Sequence, residues 1–182
     1  NFPEMDGVLF NNAFANQQLN DLKNSEALYK KLLQKFPDSP LVPDGLIALG
    51  ELLYDQARFK DAKEAFDNVE HFPNSKVYYY GIYKLAWTLY NLKMSQPAID
   101  KLVEVVEKNP PQADSSRRYN LRKEALRDLV LFIADNIKGE DIYKFFKKIA
   151  TIDELGEAMM NVAKLYASHS RESEIHTFMN EF

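Results

Sequence analysis

The chain has 182 residues, of which 46% are hydrophobic and 27% charged, and its formal net charge is −4. This composition favours one folded domain or a short repeat array over a disordered chain. The mild negative charge argues against nucleic acid as the main partner, because phosphate binding usually requires a clear basic excess. The absence of cysteine excludes disulfides, thiolate metal sites and cysteine nucleophiles.

The two ends and the apolar runs suggest how this piece relates to a membrane and to its parent protein. No apolar run approaches the roughly 20 residues that a membrane-spanning helix requires, so we expect no transmembrane segment in this piece. The sequence starts at Asn1 without a methionine and stops at Phe182 inside an apolar-periodic segment. We therefore expect it to be a fragment of a longer chain, with any targeting signal outside it.

A repeat of about 36 residues organises the sequence. In residues 46–73, apolar residues recur at helical spacing on both sides of a break at 55–58, which predicts two short amphipathic helices joined by a tight turn. The pattern returns 36 residues later, where Ala86 and Ala98 take the places of Gly50 and Ala62. Counting all copies, we place repeats at approximately 6–40, 43–76, 79–112, 123–152 and 156–182, with an insertion at approximately 109–122.

The residue types at fixed positions of the repeat have physical reasons. Small residues such as Gly50 on the first helix and Ala62 on the second let the two helices approach closely. Large residues such as Phe66 fill the space between neighbouring pairs. Proline, as at Pro73, ends the second helix because it cannot donate a backbone hydrogen bond. After the insertion we expect a helix over about 116–136 that is longer than the other first helices, and Gly139 in the tight turn that follows.

The spacing L-G-x-x-L, then eight residues, then A-x-x-x-F resembles the tetratricopeptide repeat (TPR), and the resemblance covers nearly the whole chain. It implies an all-α fold, a right-handed superhelical array of about five antiparallel helix pairs. Two positions depart from the family pattern. Val130 stands where the family has Gly or Ala, and Ile142 stands where it has Ala, so we expect the helices there to pack less closely or at another angle.

The connectors between repeats carry a second resemblance. FPDSP at 36–40 and FPNSK at 72–76 are similar to the F/Y-P-x-S linkers of TPR proteins of the bacterial cell envelope. This similarity implies a periplasmic or outer-membrane-associated location in an envelope complex. The alternative is a cytoplasmic protein.

The TPR resemblance implies that the first helices line a concave groove for a partner peptide or helix. In the third copy, Tyr80, Tyr83, Trp87 and Tyr90 form one stripe, while other residues already supply a core face, and such residues are enriched at binding hot spots. The alternative is that these rings pack internally. The groove residues that this implies are Phe10 and Phe14; Ile47, Glu51 and Tyr54; Tyr80, Tyr83, Trp87, Tyr90 and Asn91; and Arg127 and Leu131.

A second candidate surface is a basic cluster at the start of the fourth copy, formed by Arg117, Arg118, Arg122 and Lys123. Basic side chains near a helix start are unfavourable for the helix dipole, which favours a patch for an acidic partner or an anionic surface. The alternative is a solvated helix face paired with Glu124 and Asp128.

The sequence contains no catalytic constellation, no phosphate-binding glycine loop and no set of residues with metal-ligand spacing. We therefore predict a non-enzymatic scaffold for protein–protein interaction, without a cofactor or metal. Two alternatives remain open. One is self-association by stacking through an open C-terminal repeat. The other is binding of a sugar or peptidoglycan fragment on the aromatic stripe.

Overall fold

In a computed structural model the protein is described at residues 4–111, 120–134, 136–169, 171 and 175. Within these residues the regular structure is entirely helical, which confirms the predicted all-α class. The described part of the chain forms nine helices: α1 (Met5–Gln18), α2 (Leu22–Lys35), α3 (Val42–Asp55), α4 (Phe59–Val69), α5 (Tyr78–Asn91), α6 (Ser95–Lys108), α7 (Leu121–Ala134), α8 (Gly139–Ile149) and α9 (Ile152–Ser168). The second helix predicted for the fifth copy falls almost wholly outside the described residues.

The chain divides into two compact units, Asn1–Lys93 and Met94–Phe182, which we call unit 1 and unit 2. In unit 1, α1 packs against α2, α3 against both α2 and α4, and α5 against α4. The helix α3 also touches α1 and α5. The first helices of successive copies therefore lie side by side in unit 1.

A close contact between first and second helices holds unit 1 together at Gly50. A Cβ atom built on Gly50 would lie 2.5 Å from Cε1 of Phe66, whose side chain is completely buried. A Cβ on Gly81 would likewise lie 2.7 Å from Cγ1 of Val69 in α4. Only glycine leaves room for these neighbours, so the small residue predicted at position 50 has a direct steric cause.

The two F-P-x-S connectors share one hydrogen-bond pattern. The hydroxyl oxygen of Ser39 accepts a hydrogen bond from the Leu41 N–H at 3.1 Å, and that of Ser75 accepts one from the Val77 N–H at 3.3 Å. In both connectors the serine side chain thus fixes the turn that leads into the next first helix. The Ser39 hydroxyl also donates to the Asp6 carboxylate at 2.5 Å, which ties the connector to α1.

In unit 2, α6 packs against α7, and α9 packs against α7 and α8. The helix α7 has 14 residues, the same length as α1, α3 and α5, so the prediction of a longer helix here was wrong. Asn120 is not helical, and its side-chain oxygen accepts a hydrogen bond from the Lys123 N–H at 3.1 Å. Asparagine is a preferred N-cap residue, which explains why the helix starts after it.

The helix α8 also begins differently from the prediction. Gly139 was expected in the turn of the fourth pair, but it is the first residue of α8. The two residues that departed from the family pattern, Val130 and Ile142, are both buried. Their larger side chains therefore belong to the core of unit 2.

We predict that Gly50→Ala destabilises the protein by about 1–3 kcal/mol, because the added methyl group overpacks the core against Phe66. The measurement is urea unfolding followed by circular dichroism. The matched control is Gly7→Ala on α1, where an added Cβ meets nothing within 4 Å. The control should be neutral or gain up to about 1 kcal/mol. Equal stability of the two variants would contradict the steric account.

Candidate functional site

The side-by-side first helices of unit 1 present three rows of equivalent residues. Each row takes one residue from α1, one from α3 and one from α5, at sequence shifts of 37 and 36. The rows are Phe10, Ile47 and Tyr83; Phe14, Glu51 and Trp87; and Gln17, Tyr54 and Tyr90. We call the surface formed by the second and third rows, together with Tyr80, Lys84 and Asn91, the first-helix face.

The first row is largely buried, which differs from the expected groove. Ile47 is only 7% exposed and Tyr83 only 9%. A Cβ on Gly81 would lie 2.9 Å from Cδ1 of Ile47, so Ile47 packs against the backbone of α5. Phe10 is half-buried and meets the ring of Tyr29 edge-on at 5.8 Å. These residues hold neighbouring helices together and offer little surface.

The second and third rows remain accessible. Phe14 is 52% exposed, and Glu51, Tyr54, Trp87 and Tyr90 are half-buried. The accessible part of the predicted groove is therefore narrower than expected and is made of the two outer rows.

A polar cluster joins α3 to α5 across this face. Glu51 Oε1 accepts a hydrogen bond from the Tyr80 hydroxyl at 2.6 Å and pairs with Lys84 Nζ at 3.1 Å. The Lys84 ammonium lies 5.3 Å from the centre of the Tyr54 ring and 6.0 Å from that of Tyr80. Such distances allow cation–π attraction, so one lysine, one carboxylate and two rings form a compact group.

Lys84 was not among the predicted groove residues, although the sequence carries a signal for it. Lys84 is the one charged residue in α5, whose sequence is YYYGIYKLAWTLYN. A single charge in such an aromatic helix needs either solvent or a partner. Reading α5 against α3 would have placed Lys84 beside Glu51.

A second polar contact lies at the other end of this face. The Asn91 side-chain amide donates to the Tyr54 hydroxyl oxygen and to the Trp87 carbonyl, each at 2.9 Å. Burial raises the pKa of Tyr54, and the hydrogen bond from Asn91 opposes this only in part. The phenol therefore stays protonated at neutral pH and keeps its O–H as a donor. The rings of Trp87 and Tyr90 stand edge-on at 6.0 Å.

These groups suit the recognition of a chain segment. The rings supply flat apolar surface, and Tyr54 and Asn91 supply hydrogen-bonding groups. The charges of Glu51 and Lys84 offset each other. Among the described residues, no group of three or more His, Asp or Glu side chains is placed to hold a metal ion. The described helices also include none that is both long and apolar enough to cross a bilayer.

The two groove residues predicted in the fourth copy belong to α7 in unit 2. The side chain of Arg127 is 59% exposed, and Leu131 is 38% exposed. Arg127 pairs with Glu124 at 2.5 Å and with Asp128 at 3.1 Å. This is the ion pairing that we considered as the alternative to a basic patch.

The predicted basic patch is corrected most clearly at Arg122, which is only 6% exposed. Its guanidinium binds both carboxylate oxygens of Glu154 in α9, each at 2.8 Å. It also donates to the carbonyl oxygens of Val106 in α6 and Ile149 in α8. Arg122 therefore joins α7 to three other helices of unit 2 and is a structural residue.

The other members of the basic patch contribute little net charge where they are described. Lys123 pairs with Glu157 at 3.3 Å. Arg117 and Arg118 lie outside the described residues. Among the described residues the cluster is thus a set of ion pairs, because acidic side chains from α7 and α9 accompany each cation.

Comparison with known proteins agrees with this geometry. Residues 8–39 and 80–111 match the family described as tetratricopeptide repeat. These two stretches are tetratricopeptide repeats. The two matched stretches contain α1 with α2 and α5 with α6. No curated protein matches the sequence significantly.

Solved structures resemble the chain in fold. A tetratricopeptide repeat protein from Parabacteroides merdae is 16% identical with a TM-score of 0.68, and the match covers 97% of this chain and 66% of that one. MamA protein is 17% identical with a TM-score of 0.64, covering 97% and 89%. YrrB, a TPR protein with an unusual peptide-binding site, is 17% identical with a TM-score of 0.58, covering 94% and 81%. The TPR fold supports a role as a scaffold for protein–protein interaction.

The Arg122–Glu154 pair gives unit 2 a pH dependence. The hydrogen bonds from Arg122 hold the pKa of Glu154 below its usual range. The stabilisation is therefore fully present above about pH 4.3, the ordinary pKa of a glutamate. It is lost as the pH falls through the lowered pKa of the folded protein.

We predict that Arg122→Met destabilises the protein by about 3–5 kcal/mol at pH 7, because it leaves a partly buried carboxylate without its partner. The difference from the natural protein should shrink when urea unfolding is repeated near pH 3. Lys123→Met is the matched control, since its pair with Glu157 is exposed on both sides and such a pair contributes about 0–1 kcal/mol. Similar losses for both variants would show that the burial of Arg122 has no special role.

Proposed function

We propose that the first-helix face of unit 1 binds a peptide segment or a helix of a partner protein, so that the chain acts as a non-enzymatic scaffold. One observation carries the proposal. Tyr54, Trp87 and Tyr90, on the adjacent helices α3 and α5, are only half-buried. Tyrosine and tryptophan in such positions are the residues that most often dominate binding energy.

The core of unit 1 does not need these rings. In α5 the inner face is already filled by Ile82, Leu85, Ala86 and Leu89, which are all buried. If Trp87 and Tyr90 only completed the core, we would expect them to be as buried as Tyr83. The accessible rings of Trp87 and Tyr90 therefore favour a surface role.

The chemistry of the face indicates the kind of segment it takes. Because Lys84 neutralises Glu51, the face does not select for a strongly charged partner. Phe14 offers apolar surface at the α1 end, and Asn91 places a side-chain amide between Tyr54 and Trp87. A segment with apolar side chains and accessible backbone groups fits these features.

The setting that we propose is a complex of the bacterial cell envelope, periplasmic or associated with the outer membrane. Its support is the pair of F-P-x-S connectors, in which Ser39 and Ser75 form the same turn. A cytoplasmic setting is the alternative.

The face of α1 opposite to α3 disfavours self-association by stacking on unit 1. Val8 occupies the position of Gly45 in α3, where a Cβ would lie 3.0 Å from Cδ2 of Leu32. Asn12 occupies the position of the buried Leu49. If a second copy packed on this face of α1 in the way that α2 packs on α3, it would clash with Val8 and bury the side-chain amide of Asn12. Peptide binding by the first-helix face is therefore the function that we favour.

The test is photocrosslinking in cells that express the protein naturally. A crosslinking amino acid replaces Phe14 in one sample and Tyr90 in another, and it replaces Lys60, an exposed residue of α4, in the control. We expect the same partner protein to crosslink at positions 14 and 90 but not at 60. With that partner purified, Trp87→Ala should weaken binding by about 30-fold, as expected of a hot-spot residue.

Two results would count against the proposal. Adducts of equal yield at all three positions would indicate non-specific contact. A partner that binds the Trp87→Ala and Lys60→Ala variants equally well would show that the accessible ring does not contribute to binding.

A further inference from the structure

The outward side of α8 in unit 2 carries a basic surface that the sequence analysis did not identify. Lys147 and Lys148 follow Lys144 at helical spacings of three and four, and all three lysines are exposed. The opposite side of the helix, with Ile142 and Phe146, is completely buried. The three lysines therefore form one ridge that faces solvent.

The charge of this ridge is only weakly compensated. Lys144 reaches Asp141 at 3.8 Å, the long end of an ion pair, with both side chains more than half exposed. Among the described side chains, Lys147 and Lys148 have no carboxylate partner. This differs from the start of α7, where Lys123 and Arg127 both pair with acids.

Aromatic and apolar side chains flank the ridge. The Lys147 ammonium lies 5.3 Å from the centre of the Tyr143 ring, and the half-buried Phe145 ring meets that of Phe146 edge-on at 5.4 Å. Ile152, the first residue of α9, is 89% exposed. Its Cα is at most about 11 Å from that of Ile149, the last residue of α8. A large uncovered isoleucine thus follows shortly after the last turn of α8, which carries Lys147 and Lys148.

We propose that these six residues, Tyr143, Lys144, Phe145, Lys147, Lys148 and Ile152, form a docking patch for an acidic segment of a partner protein that also carries apolar side chains. Carboxylates of the segment pair with the lysines, and an apolar side chain covers Ile152. Complementary charge of this kind speeds association and selects the partner.

A protein segment fits the patch better than an anionic membrane. The apolar side of α8 is buried in unit 2, so the helix cannot insert it among lipid chains. The rings of Tyr143 and Phe145 are half-buried and lie beside the lysines, where they can contact a chain laid across the ridge. This patch lies in unit 2 and involves none of the residues of the first-helix face.

The probe is a fluorescein-labelled 12-residue peptide of alternating glutamate and leucine, measured by fluorescence anisotropy with the full 182-residue chain. A peptide with glutamine in place of glutamate is the probe control. We expect the acidic peptide to bind, and binding to weaken at least about tenfold between 50 and 300 mM salt. The glutamine peptide should bind at least about tenfold more weakly.

The decisive variant is Lys144→Glu/Lys147→Glu/Lys148→Glu, compared with Lys23→Glu/Lys31→Glu/Lys35→Glu on α2. Both sets consist of exposed lysines, and both change the net charge equally. They differ in their aromatic neighbours, because the one aromatic residue within α2 (LKNSEALYKKLLQK) is Tyr29, which is buried. We expect the α8 variant to lose binding at least about tenfold and the α2 variant to keep it within about threefold. Ile152→Ser should weaken binding with no change in charge.

Lysines in the last turn of a helix also stabilise its dipole, so the thermal unfolding of each variant is measured alongside binding. A folded α8 variant that binds the peptide as well as the natural chain overturns the proposal. Equal losses of peptide binding in the α8 and α2 variants would show that only the net charge of the chain matters, which would also overturn the proposal. Binding to vesicles with 30% anionic phospholipid, without binding to the peptide, would assign the patch to a membrane instead.

Discussion

The structure of unit 1 depends on one steric constraint, the close approach of neighbouring helices at glycine. Gly50 leaves room for the Phe66 ring within the second pair, and Gly81 leaves room for Val69 and Ile47 between α5 and the helices before it. Position 50 corresponds to Ala13 and Ala86, and position 81 corresponds to Gly45, so small residues recur at these places, and α1, α3 and α5 lie side by side. The first-helix face is formed by the residues of α1, α3 and α5 that this packing leaves exposed or half-buried.

Much of this arrangement could be predicted from the sequence, but the burial of the residues in each row could not. Helical periodicity located the helices, and the 36-residue shift aligned Gly50 with Ala86. Periodicity treats Tyr83 and Trp87 alike because they are four residues apart on one side of α5. In the structure Tyr83 is buried while Trp87 is half-buried. This difference depends on contacts between copies, such as Ile47 against Gly81, which the pattern of a single helix does not reveal.

Charge was harder to interpret from the sequence than apolar pattern. The basic residues at the start of α7 are visible in the sequence, but the groups that form ion pairs and hydrogen bonds with them are not. Arg122 turned out to be buried because Glu154, 32 residues later in the sequence, and two backbone carbonyls receive its guanidinium. Lys147 and Lys148 were not among the predicted site residues, yet both are exposed in the structure. Pairing over long sequence distances, rather than the number of basic residues, thus decides which surface carries net charge.

The central claim is that a partner protein covers the outer rows of α1, α3 and α5. Hydrogen–deuterium exchange of the chain, with and without its crosslinked partner, tests this most directly because it reports on all helices at once. The account predicts slower exchange in peptides from α3 and α5 that contain Tyr54, Trp87 and Asn91, with little change in α4. Protection confined to α2 and α4, or none in unit 1, would contradict it.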